Sequence, residues 1–329
     1  MTDIWDIIEK AHESGASDVH FSAKAKIMLR IEGKLQVFGG ERIESKNIEE
    51  FLLSITDEKE REHYEKDGEL LFSYSSERAG RFRAFALRQE RGISLVIRFI
   101  PSEIPDIGSL DFPVEVLNLD ENRSGLILIS GGFGSGKSTT AAALVQYIGD
   151  HYSKSIMTVE NPVEYIFKSS NSIIDQKTVE GGTLGTFVRN ASKMDTDIIY
   201  VGEIEDKEGL EASLSASQRG HLVIATLCID GVIPLLKNLL GQGDVRDREA
   251  IKEKLSDSLI FIYSQRLIKD CDEKQRILHE MLFFDQAVKN LVKEEKYVEI
   301  NSMMRSGKRE GMMTYEDHLS RLRYLNKIS

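Results

Sequence analysis

The sequence predicts an α/β fold with a parallel sheet in its larger C-terminal part, preceded by a smaller α+β domain. Three observations predict it. Apolar runs at Gly125 to Ser130, Ser155 to Glu160, Asp197 to Gly202 and Leu222 to Leu227 are strand-sized and nearly continuous, with helical stretches between them. Strands buried on both faces read this way when helices cover a parallel sheet. The first run leads directly into Gly131-Gly132-Phe133-Gly134-Ser135-Gly136-Lys137-Ser138, a complete G-x-x-x-x-G-K-[ST] pattern. Upstream, Ile100-Pro101-Ser102-Glu103-Ile104-Pro105 interrupts all periodicity, because each proline removes a donor and biases its predecessor to extended geometry.

Along the first hundred residues, Ile4 to Ser14 has helical periodicity, and Asp18 to Phe21 and Ile27 to Ile31 read as extended, with a turn at Glu32-Gly33-Lys34. Helical segments follow from Lys46 to Lys66. Leu70 to Tyr74, Gly80 to Arg88 and Ile93 to Phe99 read as further strands, divided by polar turns. The expected organisation is an α+β domain over 1–100, a linker over 101–115 and an α/β domain over 116–329, largely helical from about Val245.

The 329 residues suffice for two domains, and 41% hydrophobic with 29% charged is an ordinary globular composition. Apolar runs fall short of the roughly 18 residues that cross a bilayer, and Met1-Thr2-Asp3-Ile4-Trp5-Asp6 carries acid in place of a basic leader. A cytoplasmic protein is expected, meeting a membrane only peripherally. Two cysteines, Cys228 and Cys271, give neither a disulfide framework nor a zinc pair. A net charge of −11 argues against a nucleic-acid partner.

The glycine-rich pattern carries its own chemistry. A triphosphate must be wrapped by backbone N–H groups, and glycine lets the backbone approach closely in the required conformation. Lys137 places an ammonium on the β/γ-phosphates, Ser138 offers a hydroxyl to Mg²⁺, and the helix starting there points its positive end at the anion. Gly132, Phe133, Gly134, Ser135, Gly136, Lys137, Ser138 and Thr139 are the candidate contacts to ATP.

Hydrolysis further needs a metal-organising acid and a group that orients water. Asp197 to Glu203 delivers Glu203 at a strand's carboxyl end, where open α/β sheets bind ligands, and it is the first candidate for water activation. Thr158 to Glu164 ends another strand and places Glu160 and Glu164 near the same edge. His221 begins the strand Leu222 to Leu227, where an edge residue and a functional one are equally good readings.

At these residues the chain resembles the secretion-ATPase superfamily and, within it, the type IV pilus retraction ATPases of the PilT family. The resemblance runs almost end to end: Gly15 to His20, Arg81-Phe82-Arg83, Val96-Ile97-Arg98, an Asp box at Glu160 to Glu164, a Walker B segment at Val201-Gly202-Glu203, a His box from Gly220 to Val223, and Ala287 to Val292, similar to the AIRNLI segment of retraction motors. It implies an N-terminal PAS-like α+β domain followed by a RecA-like phosphate-loop ATPase domain with a helical C-terminal region. It also implies a homohexamer with nucleotide between the domains, acting on an inner-membrane platform protein, with the assembly ATPase as a further partner.

By the same resemblance Glu203 is the Walker B carboxylate and Glu164 the Asp-box carboxylate, both helping with water or metal beside Ser138. His221 is a γ-phosphate sensor. Arg83 and Arg98 neutralise charge from the N-terminal domain, joined by Arg189 and Lys193. Three positions depart from the pattern: Asn161 stands for Asp, Glu205 for Arg and Cys228 for the second histidine of the His box. These departures imply slow or partner-dependent turnover. The alternatives are an assembly or secretion ATPase, against which the missing tetracysteine insert counts, and a nucleotide-binding regulator with little or no hydrolysis.

Overall fold

A computed structural model of the chain describes residues 3–101, 103–113, 124–179, 182–241, 245–306 and 311–328, without the side chains of 245–247. It divides into two compact units, Met1–Glu103 and Ile104–Ser329. The expected linker straddles this division. Its residues 102, 114 and 115, and the start of the second domain at 116, lie outside the described residues.

In the first unit, helix α1 (Ile4–Glu13) starts at Asp3, whose side chain accepts from Trp5 N, and buries Ile4, Ile7, Ile8 and Ala11. That i, i+3, i+4, i+7 spacing is a single helical stripe. Strands β1 (Asp18–Ser22), β2 (Lys26–Ile31) and β3 (Lys34–Arg42) are followed by α2 (Ser45–Ile55) and α3 (Glu58–Asp67), then β4 (Glu69–Ser76), β5 (Gly80–Gln89) and β6 (Gly92–Ile100). A capping box of Asp57 and Glu60 starts α3, and Gly68 ends it in the left-handed conformation.

The six strands form one sheet in the order β3-β2-β1-β6-β5-β4, antiparallel throughout. Alternation places Val19, Phe21, Leu29, Phe82, Ala84, Leu95 and Ile97 in the core with α1 and α2. The opposite side chains form rows across the sheet, one of which pairs Arg30 with Asp18, Asp18 with Arg98 and Arg98 with Arg83.

The second unit is a seven-stranded sheet in the order β13-β12-β7-β11-β10-β8-β9. Its strands are β7 (Gly125–Ser130), β8 (Ser155–Glu160), β9 (Ile173–Thr178), β10 (Ile198–Val201), β11 (Leu222–Leu227), β12 (Leu259–Lys269) and β13 (Gln275–Phe283). All pairs are parallel except β12 with β13. Every residue of β7, β10 and β11 is buried, which explains their unbroken apolar runs.

Helices α4 (Lys137–His151), α5 (Leu184–Ala191), α6 (Lys207–Gln218) and α7 (Val232–Gly241) connect these strands, and α8 (Val245–Ser258) leads into β12. Leu126, Leu128, Val223, Ala225, Ile199 and Val201 pack in one core with Leu210, Leu214, Leu235 and Leu239 of α6 and α7. Truncating such a leucine to alanine costs about 2–5 kcal/mol. Helices α9 (Gln286–Lys293), α10 (Tyr297–Ser306) and α11 (Tyr315–Tyr324) end the chain.

The helical expectation beyond Val245 is therefore corrected in part. Leu259 to Lys269 and Gln275 to Phe283 are not helical; they form an antiparallel pair whose first strand joins β7. A continuous apolar run such as Leu259 to Tyr263 has no periodicity that separates a buried strand from a buried helix. The edge strand β9 also escaped the sequence reading, since its exposed Ile173, Asp175 and Lys177 dilute the apolar signal.

Candidate functional site

The loop between β7 and α4 leaves the carboxyl edge of the parallel sheet, where strand and helix ends turn their free backbone groups to the same place. Gly134 and Gly136 have φ of 72° and 86°, in the region that favours glycine. Gly131 has φ 152°, and a Cβ there would collide with Gln265 O and Ser135 Oγ. The glycines thus answer to backbone conformation and to a close approach by β12.

Helix α4 begins at Lys137 with no acidic residue in its first turn, so its positive end is not neutralised by its own side chains. Ala141, Ala142 and Ala143 supply helix propensity and fit under the sheet with little volume. Lys137 is 8% exposed and its Nζ donates to Gly132 O at 3.1 Å, so the ammonium folds onto the loop that it closes. Ser130, Ser135 and Thr140 have buried hydroxyls without a hydrogen-bond partner among the described residues.

The second wall of the site is the segment after β8. Glu160 is its last strand residue, 4% exposed, and accepts from Thr158 Oγ1 at 2.7 Å and Gln176 Nε2 at 3.5 Å. Burial pushes its carboxyl up to about 7, against hydrogen bonds from Thr158, the Glu164 backbone and Gln176 that pull it down. Half-buried Glu164 follows across Asn161-Pro162-Val163. Its neighbour Tyr165 meets Thr139 Oγ1 at 2.8 Å, and burial raises the Tyr165 phenol. That contact brings the Glu164 segment against the first turn of α4.

Glu203 lies two residues past β10, half-buried, at the same carboxyl edge. Strand β11 separates β10 from β7, so the strands that carry Glu203 and the loop lie about 10 Å apart across the sheet. Thr226 Oγ1 donates to Gly202 O, and Ile204 N donates to Thr226 O at 2.9 Å, fixing the turn that carries Glu203. A side chain at Gly202 would press on Glu160, 3.3 Å from its Cα.

His221 is not brought to this edge. It precedes β11, and Leu222 pairs with Gly125 while Leu227 pairs with Ser130, so His221 stands at the amino edge, roughly 20 Å from the loop. Its Nδ1 is 2.7 Å from Thr196 O and its Nε2 3.2 Å from Ser192 O. Lys193, exposed and next to Ser192, shares that far edge. Parallel topology is the reason: residues before a strand and after it lie at opposite ends.

Arg189 is engaged by Glu208 of α6 and by Thr186 Oγ1 at 3.1 Å, and this contact lowers the Glu208 carboxyl. In the first unit, Arg83 and Arg98 are cross-strand neighbours, and Arg98 Nε donates to Asp18 Oδ1 at 2.7 Å. Of the three departures, Asn161, Glu205 and Cys228 are all exposed, and all follow strand ends at the carboxyl edge.

Sequence reasoning missed Gln265. This fully buried residue of β12 donates from Nε2 to Ser135 O at 2.6 Å, bracing the loop from the adjacent strand. The signal in the sequence is the polar Ser264-Gln265-Arg266 at the end of an apolar run.

The donor set fits a nucleoside triphosphate with Mg²⁺. A glycine cradle, a lysine and a bare helix start suit the phosphates, and Ser138 offers one hard oxygen to a cation. Among the described residues no group of three or more His, Cys, Asp or Glu could hold a metal by itself, so phosphate oxygens and water would complete its shell.

Known proteins resemble this chain over nearly its whole length. The family described as "Type II/IV secretion system protein" matches residues 1–322. The "Type IV pilus retractation ATPase PilT" of Pseudomonas aeruginosa is 31% identical over 316 residues, covering 95% of this chain and 92% of that protein. The "Twitching motility protein" of Neisseria gonorrhoeae is 32% identical over 298 residues, covering 90% and 80%. A crystal structure of the pilus retraction motor PilT with bound ADP superposes with a TM-score of 0.85 at 33% identity, covering 100% of this chain and 95% of that one.

Proposed function

The chain belongs to the type II/IV secretion system protein family, and from that premise we propose that it is an ATP-hydrolysing motor that powers pilus retraction. The observation that carries the reading is the intact loop from Gly131 to Ser138 at a sheet edge that also bears Glu164 and Glu203. Relatives named for retraction and twitching motility, similar over nearly the whole chain, support retraction over assembly.

In this reading Lys137 and the loop backbone hold the phosphates, Ser138 holds Mg²⁺, and Glu203 and Glu164 place the metal and the attacking water. Phosphoryl transfer passes through a loose transition state stabilised chiefly by positive charge, which is the part assigned to Arg83 and Arg98. The working form is a homohexamer at the cytoplasmic face of the inner membrane, acting through a platform protein. Among the described residues no helix is long and apolar enough to cross a membrane.

Asn161, Glu205 and Cys228 favour slow turnover and keep a second reading in view, a nucleotide-binding regulator. Steady-state hydrolysis by the purified full chain, beside its Glu203→Gln variant, tests both. Activity above the variant supports the motor, and activity equal to it supports the regulator. A deletion strain with more pili and lost motility supports retraction; bald cells would assign assembly instead.

A further inference from the structure

We propose that Gln265 is a positioning residue of the phosphate loop and that, through Ser264 and Arg266 beside it, β12 carries the loop's response to phosphate into the C-terminal helices. The inference rests on the loop being a nucleotide site.

Ser264 pairs with Ser130, so Gln265 lies beside Gly131 where the loop begins. Its Nε2 donates to Ser135 O at 2.6 Å, and a Cβ at Gly136 would stand 3.1 Å from that nitrogen. The amide therefore touches the loop at its middle and near its end, while the Gln265 backbone crowds its start. Gln265 Oε1 is buried with no hydrogen-bond partner among the described residues. A buried amide with one half unpaired is unfavourable.

Successive strand residues face opposite sides, so Ser264 and Arg266 share the face away from Gln265. Gly231 N donates to Ser264 Oγ at 2.9 Å, and Ser264 Oγ meets Tyr315 OH at 3.0 Å. Arg266 Nε donates to both Asp230 carboxylate oxygens, at 2.8 and 2.9 Å, and its guanidinium lies 4.2 Å from the Tyr315 ring centroid. Tyr315 OH also donates to Asp230 Oδ1 at 3.1 Å. Tyr315 opens α11, and Asp230-Gly231 immediately precede α7. Three consecutive residues thus join the phosphate loop on one side of β12 to two helix starts on the other.

The physical requirement for transmission is a rigid element that both ends contact. Strand β12, buried from Phe261 to Gln265 and hydrogen-bonded to β7 and β13, meets it.

The test uses the full chain with Mg²⁺ and either ADP or ATP. Gln265→Glu keeps the shape but sets an acceptor against Ser135 O; affinity for ADP should fall tenfold or more, and KM for ATP should rise further than kcat falls. Gln265→Met, which lacks the donor without adding charge, should give the same direction at an unchanged melting temperature without nucleotide. Hydrogen exchange should show the backbone of Tyr315 to Tyr324 gaining protection on ADP binding. Tyr315→Phe, which removes only the hydroxyl, should keep nucleotide affinity and lose that gain.

Unchanged affinity in both Gln265 variants, or no response of Tyr315 to Tyr324 in the parent chain at saturating nucleotide, overturns the inference. A parent chain that binds neither nucleotide overturns the functional reading instead.

Discussion

Asp18 and Arg98 are joined across β1 and β6, with Arg98 Nε donating to Asp18 Oδ1 at 2.7 Å and Asp18 only 2% exposed. Ser17 Oγ donates to the other carboxylate oxygen at 2.8 Å, and Arg30 Nε stands 3.7 Å from it. One buried carboxylate thus fixes the row that contains Arg30, Arg98 and Arg83. Asp18→Asn removes the negative charge that Arg30 and Arg98 share. The partial exposure of Arg98 and Arg30 screens the loss, so urea unfolding should show a destabilisation of about 1–2 kcal/mol, shrinking with added salt. An unchanged midpoint would mean that Asp18 does not hold the row.

Gly131→Ala tests the close approach of β12 to the loop. Its Cβ meets Gln265 O, which is backbone and cannot swing aside, at a φ that disfavours side chains. Fluorescent ADP titration should show affinity reduced about tenfold or more, the scale of a strain of 1–3 kcal/mol. Gly132→Ala, with open space around its Cβ, is the control and should bind within about twofold of the parent.

Glu160 makes stability depend on pH. Its folded carboxyl titrates at about 7, above the ordinary 4.5, because burial favours the protonated form. The unfolded chain releases this proton from about 4.5 upward and the folded chain does not. The contribution is therefore complete below 4.5 and falls away as pH rises to about 7, by about 3 kcal/mol. Glu160→Gln should remove that slope, so denaturation midpoints of variant and parent should diverge from pH 5 to pH 7 in the variant's favour. Parallel curves would place the proton elsewhere.

His279 and His318 act in the opposite sense. Their rings stack with centroids 3.7 Å apart, His279 N donates to His318 Nδ1 at 3.0 Å, and Tyr263 OH meets His279 Nδ1 at 3.1 Å. Burial, then the neighbouring positive groups, lowers His279 to about 3 and His318 to about 4, from 6.5. Unfolded histidines take up protons below 6.5 while these resist, so stability is full above 6.5 and is lost as pH falls to about 4, by about 3 kcal/mol for His318. His318→Gln keeps an acceptor and does not titrate; its melting temperature should change less than the parent's between pH 6.5 and 4.5.

His221 stands at the amino edge, roughly 20 Å from the loop, so within one chain its effect on binding should be separate from that of Lys137. His221→Ala should leave ADP affinity within about twofold, whereas Lys137→Ala should abolish measurable binding. Equal losses would show that His221 reaches the phosphates.

The parts of this fold that the sequence disclosed share one property: their local pattern and their burial agree. Strands β7, β10 and β11 are buried on both faces and read as unbroken apolar runs, and the phosphate loop needs its glycines and lysine at fixed spacing. Strand β12 was hidden because a buried run looks alike in either conformation, and Gln265 was hidden with it. The amino-edge position of His221 was legible in principle, since it precedes its strand where Glu203 follows one. The resemblance to a motif drew attention from that simple difference in order.

Strand β11 stops at Leu227, and the exposed thiol of Cys228 emerges at the sheet edge that bears the phosphate loop. The chain thereby carries its own attachment point for an environment-sensitive fluorophore next to the proposed nucleotide site. Once exposed Cys271 in the β12–β13 turn is exchanged for serine, a maleimide dye would label this single position and follow occupancy in real time without an engineered tag.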